Sequence, residues 1–191
     1  GRGEEGEGGK RKGRFSDPKD PAATEAFQQY EAATAAHIKS LGFTWAKHVY
    51  AANMEKPFAE HNLEWTIEAA LEFIEANKDK PFYLHFCTTL LHGPDGSWEQ
   101  SMKHPRITGE GLVEREYDAE MPARASVRER VEKAGKSGQP LGYTWLDDGV
   151  GAVMKKLEEL GLTEKTVFVY LPDHGSQFKA SLFNKDGRRC P

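Results

Sequence analysis

Four side chains in this sequence have the types and spacing for chemistry on an anionic ester. Asp173 and His174 stand side by side in Pro172-Asp173-His174-Gly175, directly after the apolar run Thr166 to Leu171, and Lys179 follows. His92 opens His92-Gly93-Pro94-Asp95-Gly96, just past a second apolar run at 81–88. A carboxylate beside an imidazole can ligate a divalent cation, a lysine holds an anionic oxygen as a point charge, and a second histidine can give a proton to a leaving group. Taken singly, each has a plainer account: Asp-His-Gly is a ready turn, His92 a turn histidine and Lys179 a solvated lysine. Their shared place at the ends of two apolar runs is what makes them a candidate site, because open α/β sheets place ligands beyond the carboxyl ends of their strands.

The elements that must position these groups follow from periodicity and punctuation. Asp20-Pro21 predicts a helix start, with Phe27, Tyr30, Thr34, Ile38 and Leu41 recurring at helical spacing until Gly42. Residues 43–61, with Trp45, His48, Tyr50, Pro57 and His61, read as an irregular aromatic stretch. Asn62 is the expected cap of a second helix striped by Leu63, Ile67, Ala70, Leu71 and Ile74, closed by the polar residues 77–80. Pro81-Phe82-Tyr83-Leu84-His85-Phe86-Cys87-Thr88 is nearly continuously apolar, as in a parallel strand covered on both faces, with His85 expected as a hydrogen-bonded core histidine. Residues 97–141 are polar, with a modest helix around 123–134, and read as a surface excursion.

From Leu146 to Leu160 an amphipathic helix is expected, ended by Gly161, and Thr166-Val-Phe-Val-Tyr-Leu171 is the second buried strand. Asp147 and Asp148 read as structural acids of the first helical turns, complementing the macrodipole, and Trp65 and Trp145 as packing residues. Helix, strand, loop, repeated, is the rhythm of an α/β domain with a mostly parallel sheet.

Composition narrows the classes. The 191 residues are 38% hydrophobic and 29% charged, with a net charge of −4, so no basic footprint points to nucleic acid. Apolar runs are strand-sized, short of the roughly 18 to 20 residues of a spanning helix, so no membrane span is expected. Two cysteines, Cys87 and Cys190, form neither a disulfide framework nor a metal spacing. Residues 1–19 are Gly-rich and charged, and the GKRKGR stretch is expected to be a solvated loop. The opening Gly1-Arg2-Gly3 and closing Cys190-Pro191 lead us to expect a piece of a longer protein.

Five stretches, in order, carry a family likeness. His61-Asn62-Leu63-Glu64-Trp65-Thr66 with 69–74, then Pro81-Phe82-Tyr83-Leu84 into His92-Gly93-Pro94, then Leu146-Asp147-Asp148 with Gly151. Next come Thr166-Val-Phe-Val-Tyr-Leu-Pro-Asp-His-Gly175 and finally Lys179, Phe183 and Arg189-Cys190-Pro191. Each is weak alone, but together they resemble the formylglycine-dependent sulfatases of the alkaline phosphatase superfamily, over roughly residues 43–94 and 141–191.

The resemblance implies an α/β fold, part of an alkaline-phosphatase-like sandwich with a mostly parallel sheet flanked by helices. It implies hydrolysis of a sulfate ester, of a small molecule or a glycan, beside a calcium ion. In that family a Cys or Ser in C/S-x-P-x-R becomes formylglycine, whose hydrate attacks the sulfur. By motif, Asp173 would ligate calcium and His174 would take the neighbouring ligand position. His92 would touch the sulfate or assist the leaving group, and Lys179 would hold a sulfate oxygen. A hard cation and cationic side chains suit charge developing on sulfuryl oxygens. Many relatives are periplasmic, secreted or lysosomal.

The departures are specific. No C/S-x-P-x-R occurs: Ser16-Asp17-Pro18-Lys19-Asp20 has Asp where Arg belongs. The family's N-terminal Asp-Asp metal pair and its GKWH stretch are missing, Pro172 replaces the usual Ser, and the stretch from Lys179 to Arg189 is longer than the family pattern. Calcium takes roughly six to eight oxygen ligands, so the partial set here would bind it feebly. The chain alone is therefore expected to be inactive and, because the missing first strand exposes sheet edges and removes core, marginally stable or aggregation-prone. Two rival readings are zinc- or manganese-dependent phosphodiesterases and mutases of the same superfamily, which share Asp-His-Gly, and a non-catalytic binding module of sulfatase descent.

Overall fold

Side-chain caps set the first two helices. The computed structural model describes residues 15–52, 54, 56–92 and 98–172. In α1, Pro21–Ser40, the Asp20 carboxylate accepts the Ala22 N–H at 2.9 Å, and Pro21 occupies a first-turn position whose N–H would have no helical partner. Of its expected stripe, Phe27, Thr34 and Ile38 are half-buried and Tyr30 and Leu41 exposed, and the buried positions are Ala23 and Ala35. In α2, Leu63–Asn77, the Asn62 carbonyl accepts the Trp65 N–H at 3.1 Å. The Asn62 amide donates to Pro105 O at 2.8 Å and Ile107 O at 3.0 Å, so one side chain caps a helix and anchors a distant loop.

The core is helical. α2 packs along α5, Gln139–Glu159, and α4, Arg124–Lys133, packs on α5 as well. Leu63, Ile67, Ala70 and Ile74 of α2 meet Leu141, Trp145, Leu146, Val153 and Leu157 of α5, with Val127 and Val131 of α4 closing the cluster. Gly149 of α5 allows the closest approach: a Cβ there would stand 2.8 Å from Leu63 Cδ2. A mid-helix glycine costs about 1 kcal/mol in propensity, which this helix contact offsets.

Residues 98–141, expected at the surface, help build this core. α3, Trp98–Lys103, buries Trp98, Ser101 and Met102. β1, Ile107–Thr108, pairs antiparallel with β2, Gly111–Leu112, in the sheet found among the described residues. Ile107 joins Ala23 and Phe58 in a second cluster, where Phe27 meets Phe58 edge-on at 4.7 Å between ring centroids. The stretch reads as polar because few residues anchor it: six of the ten residues of α4 are charged, and its buried ones are two valines spaced one helical turn apart.

α5 begins at Gln139, seven residues before Leu146, and Leu160-Gly161 ends it with Gly161 at φ +64°. Asp147 and Asp148 therefore lie in the middle of the helix, not in its first turns. Their structural reading holds for another reason at Asp148, whose buried carboxylate takes the Arg130 guanidinium in a two-pronged pair, one bond at 3.0 Å.

The two apolar runs differ most from expectation. Residues 81–88 are extended, with Phe82, Leu84 and Phe86 packed on the core and Pro81, Tyr83, His85 and Cys87 facing out. His85 is thus exposed, its Nε2 3.4 Å from Cys87 Sγ, rather than a core histidine. Residues 166–172, after the 3-10 turn Thr163–Lys165, are also extended and expose Val167, Val169, Tyr170 and Leu171. Among the described residues neither 81–88 nor 167–172 makes a backbone ladder, so the parallel sheet is not present here. No helix of the described residues is long and apolar enough to cross a membrane.

Candidate functional site

His92 is the one expected site residue within the described part of the chain; Asp173, His174 and Lys179 lie outside it. The extended stretch 81–88 delivers the chain to a tight turn. There the Leu90 N–H bonds to Thr88 Oγ1 at 3.1 Å, Leu91 sits at φ +46°, and the His92 N–H donates to Thr89 O at 3.1 Å. A left-handed leucine is costly, of the order of 1–3 kcal/mol, and persists where its surroundings over-determine it. Leu90 is buried, and Leu91 presses on α5 at Gly142, where a Cβ would stand 2.9 Å from Leu91 Cδ2 and 3.1 Å from the Trp98 ring. The His92 imidazole is carried on the exposed side of this clamp.

Behind the turn lies a buried ion pair. Arg124, at the start of α4, donates from Nε and Nη2 to both oxygens of Glu64 at 3.0 and 2.6 Å. It also donates to Ser101 O at 2.6 Å and to the capping Asn62 Oδ1 at 3.2 Å. Trp145 Nε1 donates to Glu64 Oε1 at 2.9 Å, and the guanidinium lies 4.7 Å from the Trp145 ring centroid. Both charges are thereby satisfied, as buried ions must be. The network ties the starts of α2 and α4 to α3 and α5. Glu64 and Arg124 escaped the sequence reading because a first-turn Glu looks like a macrodipole residue and Arg124 heads a polar helix.

Other titratable groups are perturbed by burial. The Glu60 carboxyl is pushed up by burial against the lowering pull of His104, which bonds Oε1 at 2.7 Å; its Oε2 is buried with no hydrogen-bond partner. Burial holds the His48 imidazole below its usual value, opposed by its bond to Trp65 O, and the ring stacks on Trp65 at 4.7 Å. The Tyr50 hydroxyl, pushed up by burial, accepts the Asn62 N–H at 3.0 Å. A hollow of about 380 Å³ beside α4, lined by Met102, Arg124, Arg128, Glu129 and Glu132 among others, contains none of the expected site residues. Among the described residues no three His, Cys, Asp or Glu side chains gather to hold a metal ion. His92 alone, presented on a braced turn, can contact an anion or pass a proton.

The family model described as Sulfatase matches residues 27–189, which include all four candidate residues. An ulvan-active sulfatase of Formosa agariphila is 28% identical over 117 residues, covering 60% of this chain and 22% of that protein. The aligned part thus spans about a fifth of that curated relative's length.

Proposed function

The chain belongs to the sulfatase family, and on that premise we propose that it supplies His92, Asp173, His174 and Lys179 to a site that hydrolyses sulfate esters. The observation that carries the reading is the family match over 27–189, which takes in His92, Asp173, His174 and Lys179 together. His92 donates a hydrogen bond to the sulfate and a proton to the departing oxygen, and Lys179 holds a sulfuryl oxygen as a fixed positive charge. Asp173 and His174 would hold one calcium ion, which when bound would supply a hard positive charge to the site. A carboxylate oxygen suits that cation; Asp173 and His174 by themselves fall short of the roughly six oxygens it prefers.

The nucleophile in this reading is a formylglycine made from a C/S-x-P-x-R motif, which does not occur in these 191 residues. By itself the chain therefore hydrolyses no sulfate ester. In the active enzyme the runs 81–88 and 166–171 are neighbouring strands of a mostly parallel sheet flanked by α1, α2 and α5, an alkaline-phosphatase-like sandwich. Their unpaired backbone and, for 166–171, exposed apolar side chains support this reading. The substrate is a sulfated small molecule or glycan; the relative's name makes ulvan the first polysaccharide to try.

The test measures free sulfate by ion chromatography from a chromogenic aryl sulfate and from ulvan. The chain alone should release none. The chain joined in one reading frame to a segment bearing C/S-x-P-x-R, matured to formylglycine, should release sulfate, and His92→Ala should then lower kcat/KM by about 100-fold. Release of the aryl alcohol from aryl phosphodiesters with zinc or manganese, and no sulfate, would replace this reading with the phosphodiesterase one. No turnover of either ester would leave a binding module.

A further inference from the structure

We propose that His61 is the positioning residue of the turn that presents His92, acting on both of that turn's flanks. The proposal rests on the reading of His92 as a sulfate-contacting group. His61 is buried, and its Nδ1 lies 2.9 Å from Thr89 Oγ1. The carbonyl of that same Thr89 accepts the His92 N–H at 3.1 Å, so the residue His61 grips is the one that closes the turn. On its other side the His61 ring stacks on Trp98, centroids 5.0 Å apart and planes 20° from parallel. Thr89 precedes His92 and Trp98 follows it, so one imidazole touches the chain before and after the presented histidine.

His61 is itself immobilised. Its backbone N–H donates to Ser101 Oγ at 2.9 Å, and Ser101 O is held by Arg124. The next residue, Asn62, caps α2. The buried ion pair is thus connected to the turn through Ser101 and His61. Leu91, at φ +46° and pressed against Gly142, is a conformation that must be held, and the grip of His61 on Thr89 is the polar contact positioned to hold it. Hydrophobic packing alone would need only a ring at position 61. A positioning role needs the nitrogen.

Two substitutions separate the ring from the nitrogen. His61→Phe keeps a ring on Trp98 and removes the bond to Thr89; His61→Asn puts an amide near the position of Nδ1 and removes the stack. The readout is ¹⁵N backbone relaxation on the 191-residue chain. In the unaltered chain Leu90, Leu91 and His92 should have order parameters near 0.85. His61→Phe should drop them below about 0.6 while α2 and α5 stay rigid, and His61→Asn should keep them in the rigid range.

Should His61→Phe disturb folding, Thr89→Val breaks the same contact from the other end and Thr89→Ser restores it, with the same expected contrast. Unchanged order in both His61→Phe and Thr89→Val overturns the proposal, as does equal loosening in His61→Phe and His61→Asn. The catalytic reading is tested apart from this. In an active sulfatase carrying this segment, His61→Phe should cost kcat/KM about tenfold and His61→Asn less than about threefold. If His92→Ala keeps full activity there, the role of His92 falls, and the relaxation contrast still decides what His61 does.

Discussion

The helical core and the extended run 166–171 both carry large apolar side chains, yet the first buries them and the second does not. In α2, α4 and α5 one face of large apolar side chains is buried, and the ion pair between Glu64 and Arg124 is held by Trp145 and Asn62 as well. In 166–171, Val167 is 89% exposed and Leu171 78% exposed, and no ladder satisfies the backbone. A helix closes its hydrogen bonds within itself, so packing one face is enough. A strand cannot, and its backbone waits for neighbours from elsewhere. Among the described residues the chain therefore completes its helical scaffold and leaves the extended run 166–171 without partners.

The sharpest way to break the ordered region is to remove half of its ion pair. Arg124→Ala leaves Glu64 buried beside Trp145 with its charge uncompensated and also strips Ser101 O of its donor. A loss of about 3–5 kcal/mol is expected, read as the shift in a denaturant transition followed by circular dichroism. A loss below 1 kcal/mol would mean that the pair is solvated and that the core is looser than described.

Helix contact is tested next by a pair of glycines on one helix. Gly149→Ala drives a methyl to within 2.8 Å of Leu63 and should destabilise by about 1–2 kcal/mol net, overpacking outweighing the gain in helix propensity. Gly151→Ala, with open space around the new Cβ, should stabilise by about 0.5–1 kcal/mol. The same substitution with opposite signs two residues apart would confirm the face of α5 that meets α2. Equal signs would refute it.

Glu60 offers a pH test at the boundary between core and loop. Its carboxyl is pushed up, so the folded chain binds the proton more tightly than the unfolded chain. Stability from this group is full below the unfolded value, near 4.3 for Glu, and is lost as pH rises through the raised folded value. Glu60→Gln keeps an acceptor for His104 and removes the charge, so it should stabilise by about 1 kcal/mol at pH 7 and by little at pH 4. Thermal melts at the two pH values decide it. A variant less stable at pH 7 would show that the bond to the charged carboxylate outweighs its burial.

What could be read from the sequence follows the same divide. Asp20 and Asn62 announce their helices because capping is local chemistry, and the Gly138-Gln139-Pro140 start of α5 was legible in principle from its proline. The strand-like runs were recognised by composition, but their burial depends on remote partners that no local pattern specifies. The role of 98–141 was hidden because Trp98, Met102, Val127 and Val131 are isolated among charges. Of the site, His92 was read as the end of a run, whereas the contact of His61 with Thr89 joins residues 28 apart and no spacing rule finds it.

The smallest expected effect completes the comparison. Val169→Thr and Leu171→Ser alter residues 65% and 78% exposed, so each should change the stability of this chain by no more than about 0.5 kcal/mol. A core substitution of similar size, such as Ile67→Val on α2, should cost about 0.5–1.5 kcal/mol. If the run pairs in a sheet within the active enzyme, the same two substitutions should there cost 1 kcal/mol or more, since they would remove apolar area from a covered strand. A measurable cost in the chain alone would mean that 166–171 already packs against something, and the contrast between scaffold and edge would have to be redrawn.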